Sequence, residues 1–182
     1  MARSIPPEWT LLDEWEVFDG RPWLRVFREK LRLPSGDEID GFYRVWMPDY
    51  AVVFATVGDE VLVQRNYKHG PGRVGLHLPA GYLEPDEEPL VAARRELLEE
   101  TGYVSDSWTL LGTFVNDGNR GAGVAHLFRA SDARQTAAPS SDDLEETETM
   151  LISMAELRRA LTRGDVPVIS VATTIALAAL AE

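Results

Sequence analysis

Three glutamates, Glu96, Glu99 and Glu100, lie three and four residues apart. On a helix that spacing puts all three carboxylates on one face. Like charges so placed repel and weaken a helix by roughly a few tenths of a kcal/mol per pair unless something offsets them. A hard divalent cation does so: Mg²⁺ takes carboxylate and carbonyl oxygens, keeps several waters and bridges to substrate phosphates. An isolated run of this kind reads as a solvated acidic face with Arg95 in surface ion pairs. Here the run sits in a longer spacing: Gly81, five residues, Glu87, seven residues, Arg95-Glu96, Glu99-Glu100, then Gly102. At typical residue frequencies these seven polar and glycine positions coincide by chance on the order of 10⁻⁸ per window.

The formal net charge of −12 argues against a nucleic-acid surface, which needs a basic patch. It also repels an anionic substrate unless cations held by carboxylates reverse the local field. With no cysteine, disulfides and thiolate metal sites are excluded, and a cytoplasmic location is the default. No apolar run approaches the roughly 20 residues of a membrane helix. The nearest, 166–181, is broken by Pro167, Ser170, Thr173 and Thr174. The N-terminus has no apolar stretch of signal-peptide type. A chain of 182 residues suits one domain with a sizeable core.

Those glutamates need a helix and a frame to hold it. Asp86 can cap that helix, Pro89 fits its first turn, and Glu87 and Glu88 suit its N-terminal dipole. Leu90, Ala93, Leu97 and Leu98 form a candidate buried stripe, and Gly102 a left-handed C-cap. Before it, residues 14–18, 23–33, 41–47, 50–57, 61–64 and 76–78 read as strands between turn signals, with a Gly/Pro-rich loop at 70–75. After it come strands at 109–115 and 124–130, a polar loop at 131–148 and a strand at 149–153. Helices at 154–163 and 168–181 follow, separated by Gly164-Asp165. The mixture predicts an α/β layered domain.

The spacing from Gly81 to Tyr103 is that of the Nudix box, Gly-x5-Glu-x7-Arg-Glu-U-x-Glu-Glu-x-Gly-U, matched at every polar and glycine position, with Tyr103 at the final apolar site. The chain thus resembles the Nudix hydrolases, which cleave a nucleoside diphosphate linked to another group. The resemblance implies an α/β/α sandwich of the Nudix type with an N-terminal antiparallel β extension. Residues 1–48 would be that extension, able to form a dimer, and 49–182 the hydrolase domain. It implies metal ligation by Glu96, Glu99 and Glu100, support from Glu87, and orientation of the glutamates by Arg95. The backbone carbonyl of Ala80 would be a further ligand, the alternative being a tight turn.

The flanks VLVQRNYKHGPG and LHLPAGYLEPDE resemble the ADP-ribose and ADP-sugar pyrophosphatases. The implied activity is hydrolysis of a nucleotide-sugar substrate to a nucleoside monophosphate and a sugar phosphate, with Mg²⁺ as cofactor and Mn²⁺ as its alternative. Two positions depart from that branch: His77 stands where it usually has Glu, and Gly118 where it commonly has Pro. Both bear on the substrate and neither on the metal site.

In the branch, a general base often comes from a loop after the box. Here that loop is 140–148, with Glu145 favoured over Glu148; as solvated loop glutamates they would have no such part. Arg28, Lys68 and Arg120 are candidate phosphate contacts, against a reading as surface charges. Trp9 and Trp23 are candidates to stack on adenine, against ordinary packing. The glycine-rich 118–123 reads as a hairpin turn before it reads as a phosphate loop. His69, His77 and His126 lack metal-ligand spacing. The branch further implies a homodimer with exchanged N-terminal strands. Competing readings are an NDP-sugar, NADH or other dinucleotide as substrate, or a non-catalytic nucleotide sensor, which degenerate box glutamates would favour and this box does not.

Overall fold

A computed structural model of the chain describes residues 8–140 and 146–181. In chain order the strands and helices are β1 (Thr10–Gly20), β2 (Leu24–Arg32), β3 (Glu38–Trp46), β4 (Tyr50–Val57), β5 (Glu60–Lys68), β6 (Arg73–His77), β7 (Ala80–Tyr82), α1 (Pro89–Thr101), β8 (Tyr103–Val104), β9 (Ser107–Asp117), β10 (Gly121–Ser131), β11 (Arg134–Gln135), β12 (Glu148–Ser153), α2 (Met154–Arg163) and α3 (Ile169–Leu180). They fall into two compact units, Met1–Pro48 with Val115–Val124, and Asp49–Phe114 with Ala125–Glu182.

The first unit is an antiparallel meander, β1–β2–β3. Alternation buries Phe27, Glu29 and Leu31 along one side of β2. The guanidinium groups of Arg25 and Arg44 lie over the Phe27 ring, 4.7 and 4.9 Å from its centroid. Arg44 also binds Glu29 and Glu14, and the bond to Glu29 is the chief cause raising its pKa. The tip of the β9–β10 hairpin completes this unit: the Val45 N–H donates to the Arg120 carbonyl at 2.8 Å.

In the second unit β4 is the hub of a mixed sheet. It pairs parallel with β10, from Tyr50 opposite Ala125 to Ala55 opposite Ala130, and antiparallel with β5 and β7. β5 also pairs with β6 and β12, and the short β8 with β11. The apolar run of β4 is buried on both faces, as a central strand between helices must be. Val52 and Phe54 join Val61, Val63, Leu157, Val171 and Ile175 in the core under α2 and α3. Ala51, Val53 and Ala55 join Leu62, Ala92, Ala93 and Leu97 in the core under α1. This is the expected α/β/α layering.

Several local expectations are corrected. Asp86 does not cap α1: it turns the preceding loop with φ +62°, and the N-cap is Glu88, without a side-chain bond. Pro89 does occupy the first helical position and Gly102 the left-handed C-cap, φ +75°. The buried side of α1 is Ala92, Ala93, Glu96 and Leu97, whereas Leu98 is 38% exposed, because the helix turns a glutamate inward with the alanines. β5 continues through Arg65, Asn66 and Tyr67 to Lys68, since β6 and β12 supply partners for its polar end. β6 takes in Gly75, where a Cβ would overlap the ring of Pro167. No helix among the described residues is long and apolar enough to cross a membrane.

Candidate functional site

The box folds as a loop and helix on the second unit, and its residues bind one another. Arg95 is the centre. Its Nε and Nη2 donate to the two oxygens of Glu87 at 3.0 and 2.9 Å, a bidentate pair. Its Nη1 donates to Glu96 at 2.6 Å and to Glu99 at 3.2 Å, and its Nη2 also donates to the Tyr82 carbonyl at 3.0 Å. The guanidinium holds the Glu87 carboxyl below the usual carboxylate range, and Glu87 in turn raises the pKa of Arg95. The Glu84 N–H gives Glu87 a further bond at 2.9 Å.

Backbone contacts hold two of the helix glutamates. The Glu96 carboxylate lies where a Cβ on Gly81 would be, so any other residue there would displace that carboxylate. Gly81 itself is fixed by β7, opposite Ala51 of β4. Glu100 accepts from the Ala80 N–H at 3.1 Å, so it is the Ala80 amide that the structure engages. Glu99 is the more open member, with its side chain 46% exposed.

Chemically, this donor set suits a hard divalent cation: carboxylate oxygens on one helical turn, beside a strand whose backbone already orients two of them. Among the described residues no three acidic or histidine side chains converge as a ready ligand set. Oxygens of Glu96 and Glu99 instead serve Arg95. The residue types and their common face fit the cation.

The remaining candidates are spread over both units. Lys68 ends β5 in the second unit, half-buried and opposite Arg73. Strand alternation puts it on the α1 side of the sheet with Leu62, Gln64 and Asn66. Glu148 opens β12 opposite Arg65, next in register to Thr149 opposite Gln64. The same alternation that sends Met150 and Ile152 to the α2–α3 core turns Glu148 to that side, away from α1. Glu145 lies outside the described residues.

Trp9, Trp23, Arg28 and Arg120 belong to the first unit. Trp9 is 52% exposed, edge-on to Phe42, and Trp23 is 61% exposed in the β1–β2 turn, so neither is core. Arg28 binds Asp40 at 2.8 Å and reaches over the Trp15 ring. Arg120 sits in the β9–β10 turn, where the Asp117 carboxylate accepts from the N–H groups of Asn119 and Arg120 at 2.8 and 2.7 Å. Residues 118–120 are therefore a hairpin turn, and 121–123 open β10.

Sequence reasoning missed what lies around the box. Gly102 accepts through its carbonyl from the N–H groups of Thr136 and Ala137 at 2.9 and 3.2 Å, and a Cβ on it would overlap the Ala137 carbonyl. Asn66 donates to Thr147 at 3.1 Å. The signal for Asn66 was present in VLVQRNYK, where Gln64 and Asn66 alternate with exposed residues on an otherwise apolar strand.

The NUDIX domain profile matches residues 45–170. The chain belongs to the Nudix family and is a hydrolase of it; such enzymes use divalent metal ions and act on nucleotide-sugar-type substrates. Within the family it resembles ADP-ribose pyrophosphatases. It is 26% identical over 146 residues to the ADP-ribose pyrophosphatase of Bacillus subtilis (strain 168), covering 80% of this chain and 77% of that one. It is 29% identical over 157 residues to the CMP-5'-(N-acetyl-N-hydroxy-3-aminopropyl)phosphonate hydrolase of Streptomyces rubellomurinus, covering 84% and 74%. A crystal structure of an ADP compounds hydrolase superposes with a TM-score of 0.84 at 20% identity, over 97% of this chain and 95% of that chain, and shows the shared fold.

Proposed function

We propose that the protein hydrolyses the diphosphate of ADP-ribose or a related ADP-sugar, with Mg²⁺ as its metal, releasing a nucleoside monophosphate and a sugar phosphate. The observation that carries the reading is the intact box on α1: Glu96, Glu99 and Glu100 share one turn, with Glu96 seated on Gly81 and Glu100 on the Ala80 amide. The likeness to the Bacillus ADP-ribose pyrophosphatase supports the substrate class. A divalent cation bound there would offset charge on the phosphate oxygens and lower the pKa of a bound water. Glu96, Glu99 and Glu100 would hold it, and Arg95, through its bonds to Glu87, Glu96 and Glu99, would keep the carboxylates in place.

In the reaction, a water oxygen bonds to one phosphorus while the bond from that phosphorus to the bridging oxygen breaks. The second phosphate leaves with the bridging oxygen. A carboxylate of the acidic segment, Glu145 by preference, takes the water proton. Arg28, Lys68 and Arg120 are the proposed phosphate contacts, and Trp9 and Trp23 the proposed stacking faces. Ala80 remains proposed as a carbonyl ligand. A panel of ADP-ribose, NDP-sugars and NADH, run with Mg²⁺, with Mn²⁺ and with EDTA, tests this. ADP-ribose or an ADP-sugar should be turned over fastest, and EDTA should abolish turnover. Full activity in EDTA would refute the metal assignment, and preference for NADH the substrate assignment.

We further propose that the protein works as a cytoplasmic homodimer built on the first unit. Leu11, Trp15, Val17, Phe18 and Tyr43 of this small sheet are each 44–53% exposed. β1 is an edge strand there, and apolar patches with free edges mark association surfaces. Light scattering should return twice the 20.3 kDa chain mass, and the mass of a single chain would reject the dimer.

A further inference from the structure

Two of the box glutamates stand where a helix is weakest. Glu99 and Glu100 immediately precede Thr101, the last residue of α1. Carboxylates at a helix C-terminus oppose its dipole, and this turn carries no basic residue of its own. The last carbonyls of a helix lack donors within it, and terminal turns fray. The chain that follows does not supply a donor to the Glu99 carbonyl, because the Tyr103 N–H turns back to the Thr101 hydroxyl at 3.2 Å.

A distant stretch of chain supplies it. Residues 134–140 run antiparallel to 99–104: Arg134 pairs with Val104 and Gln135 with Tyr103. The N–H groups of Thr136 and Ala137 then both donate to the Gly102 carbonyl, and the Thr136 hydroxyl reaches the same oxygen at 3.4 Å. Last, the Ser140 N–H donates to the Glu99 carbonyl at 2.8 Å. The Ala137 carbonyl lies where a Cβ on Gly102 would be, so the C-cap glycine also lets this strap come close. We infer that the strap is a positioning element for the metal ligands. Through the Ser140 N–H it keeps the last turn of α1 wound, with Glu99 and Glu100 on the face they share with Glu96. Ligands ordered in advance cost less to gather around an ion. The inference rests on the reading of these glutamates as the ligands.

The test compares Ser140→Pro, which removes the N–H, with Ser140→Ala, which keeps it, in the full chain. Mn²⁺ binding to metal-free protein, with no nucleotide present, is read from the electron paramagnetic resonance signal of the free ion. Ser140→Pro should weaken Mn²⁺ binding by about ten- to a hundredfold, the scale of lost support behind a metal ligand, and Ser140→Ala should stay within about twofold of the wild type. Amide hydrogen exchange at Glu100, Thr101 and Gly102 should quicken in Ser140→Pro and not in Ser140→Ala, which reports on the turn itself. Unchanged Mn²⁺ affinity in folded Ser140→Pro, whatever its melting temperature, makes the strap merely structural and overturns the inference. An equal loss in Ser140→Ala overturns it too, and both results leave the metal assignment standing. A wild type that binds no Mn²⁺ removes that assignment, and the inference with it. Ala137→Pro deletes a donor to Gly102 and carries the same test if Ser140→Pro fails to fold.

Discussion

The two units of this chain handle charge in opposite ways. In the first, charges pair across neighbouring strands at the surface: Arg25 with Glu16, Arg28 with Asp40, Lys30 and Arg32 with Glu38. Such pairs are individually weak. Much of its aromatic surface stays open, and of its apolar side chains Phe27 and Leu31 are buried. In the second unit, two cores are complete and the charges that matter are gathered around one guanidinium on one helix. The difference separates two jobs. Residues whose geometry must hold to a fraction of an ångström stand on a packed layer, and residues that could meet a ligand or a second chain stand on a thin sheet.

The largest test of that contrast is Glu100→Gln, which keeps the bond from the Ala80 amide but removes the charge. It should lower kcat by about a thousandfold, on the scale of losing an electrostatic stabiliser, with little change in melting temperature. Thermal stability together with steady-state kinetics checks both halves. Next, Leu97→Ala should destabilise the protein by about 2–5 kcal/mol, read by urea titration, because Leu97 is fully buried under the sheet. Trp15→Ser in the first unit should cost about 0.5 kcal/mol or less in the same titration yet shift the light-scattering mass toward the single chain. Equal destabilisation by the two would erase the contrast. Arg28→Ala should raise KM by about tenfold and leave kcat near normal, as loss of uniform binding does. Ser153→Ala, away from both contrasted regions, should cost about 1 kcal/mol in the same titration, since Ser153 and Glu156 close a capping box at the start of α2.

The box was legible in the sequence because its chemistry fixes residue types at fixed intervals, and the helix places them without help from distant chain. The layers were legible as well, since strands buried on both faces read as unbroken apolar runs. Asp86 was misread because a turn with positive φ and a helix cap favour the same residue types. Leu98 was misread because periodicity does not reveal that the helix rolls to seat Glu96 against Gly81. The pairing of Asn66 with Thr147 had no local signature. The two are 81 residues apart, and although the strand pattern marks Asn66 as inward-facing, nothing near either residue points to the other. The side to which Glu148 turns likewise depends on a register with β5 that composition does not encode.

The seat of α1 is rich in methyl groups: Ala51 and Ala55 on β4 and Ala92 and Ala93 on the helix, all fully buried, pack among Val53, Leu62, Leu97 and Phe128. Four of the smallest side chains back to back leave no slack to absorb a larger neighbour, so an added methylene there would push the whole rod outward. The same floor that holds the carboxylates would therefore make ion affinity at the proposed site sensitive to volume changes at positions that touch neither ion nor substrate.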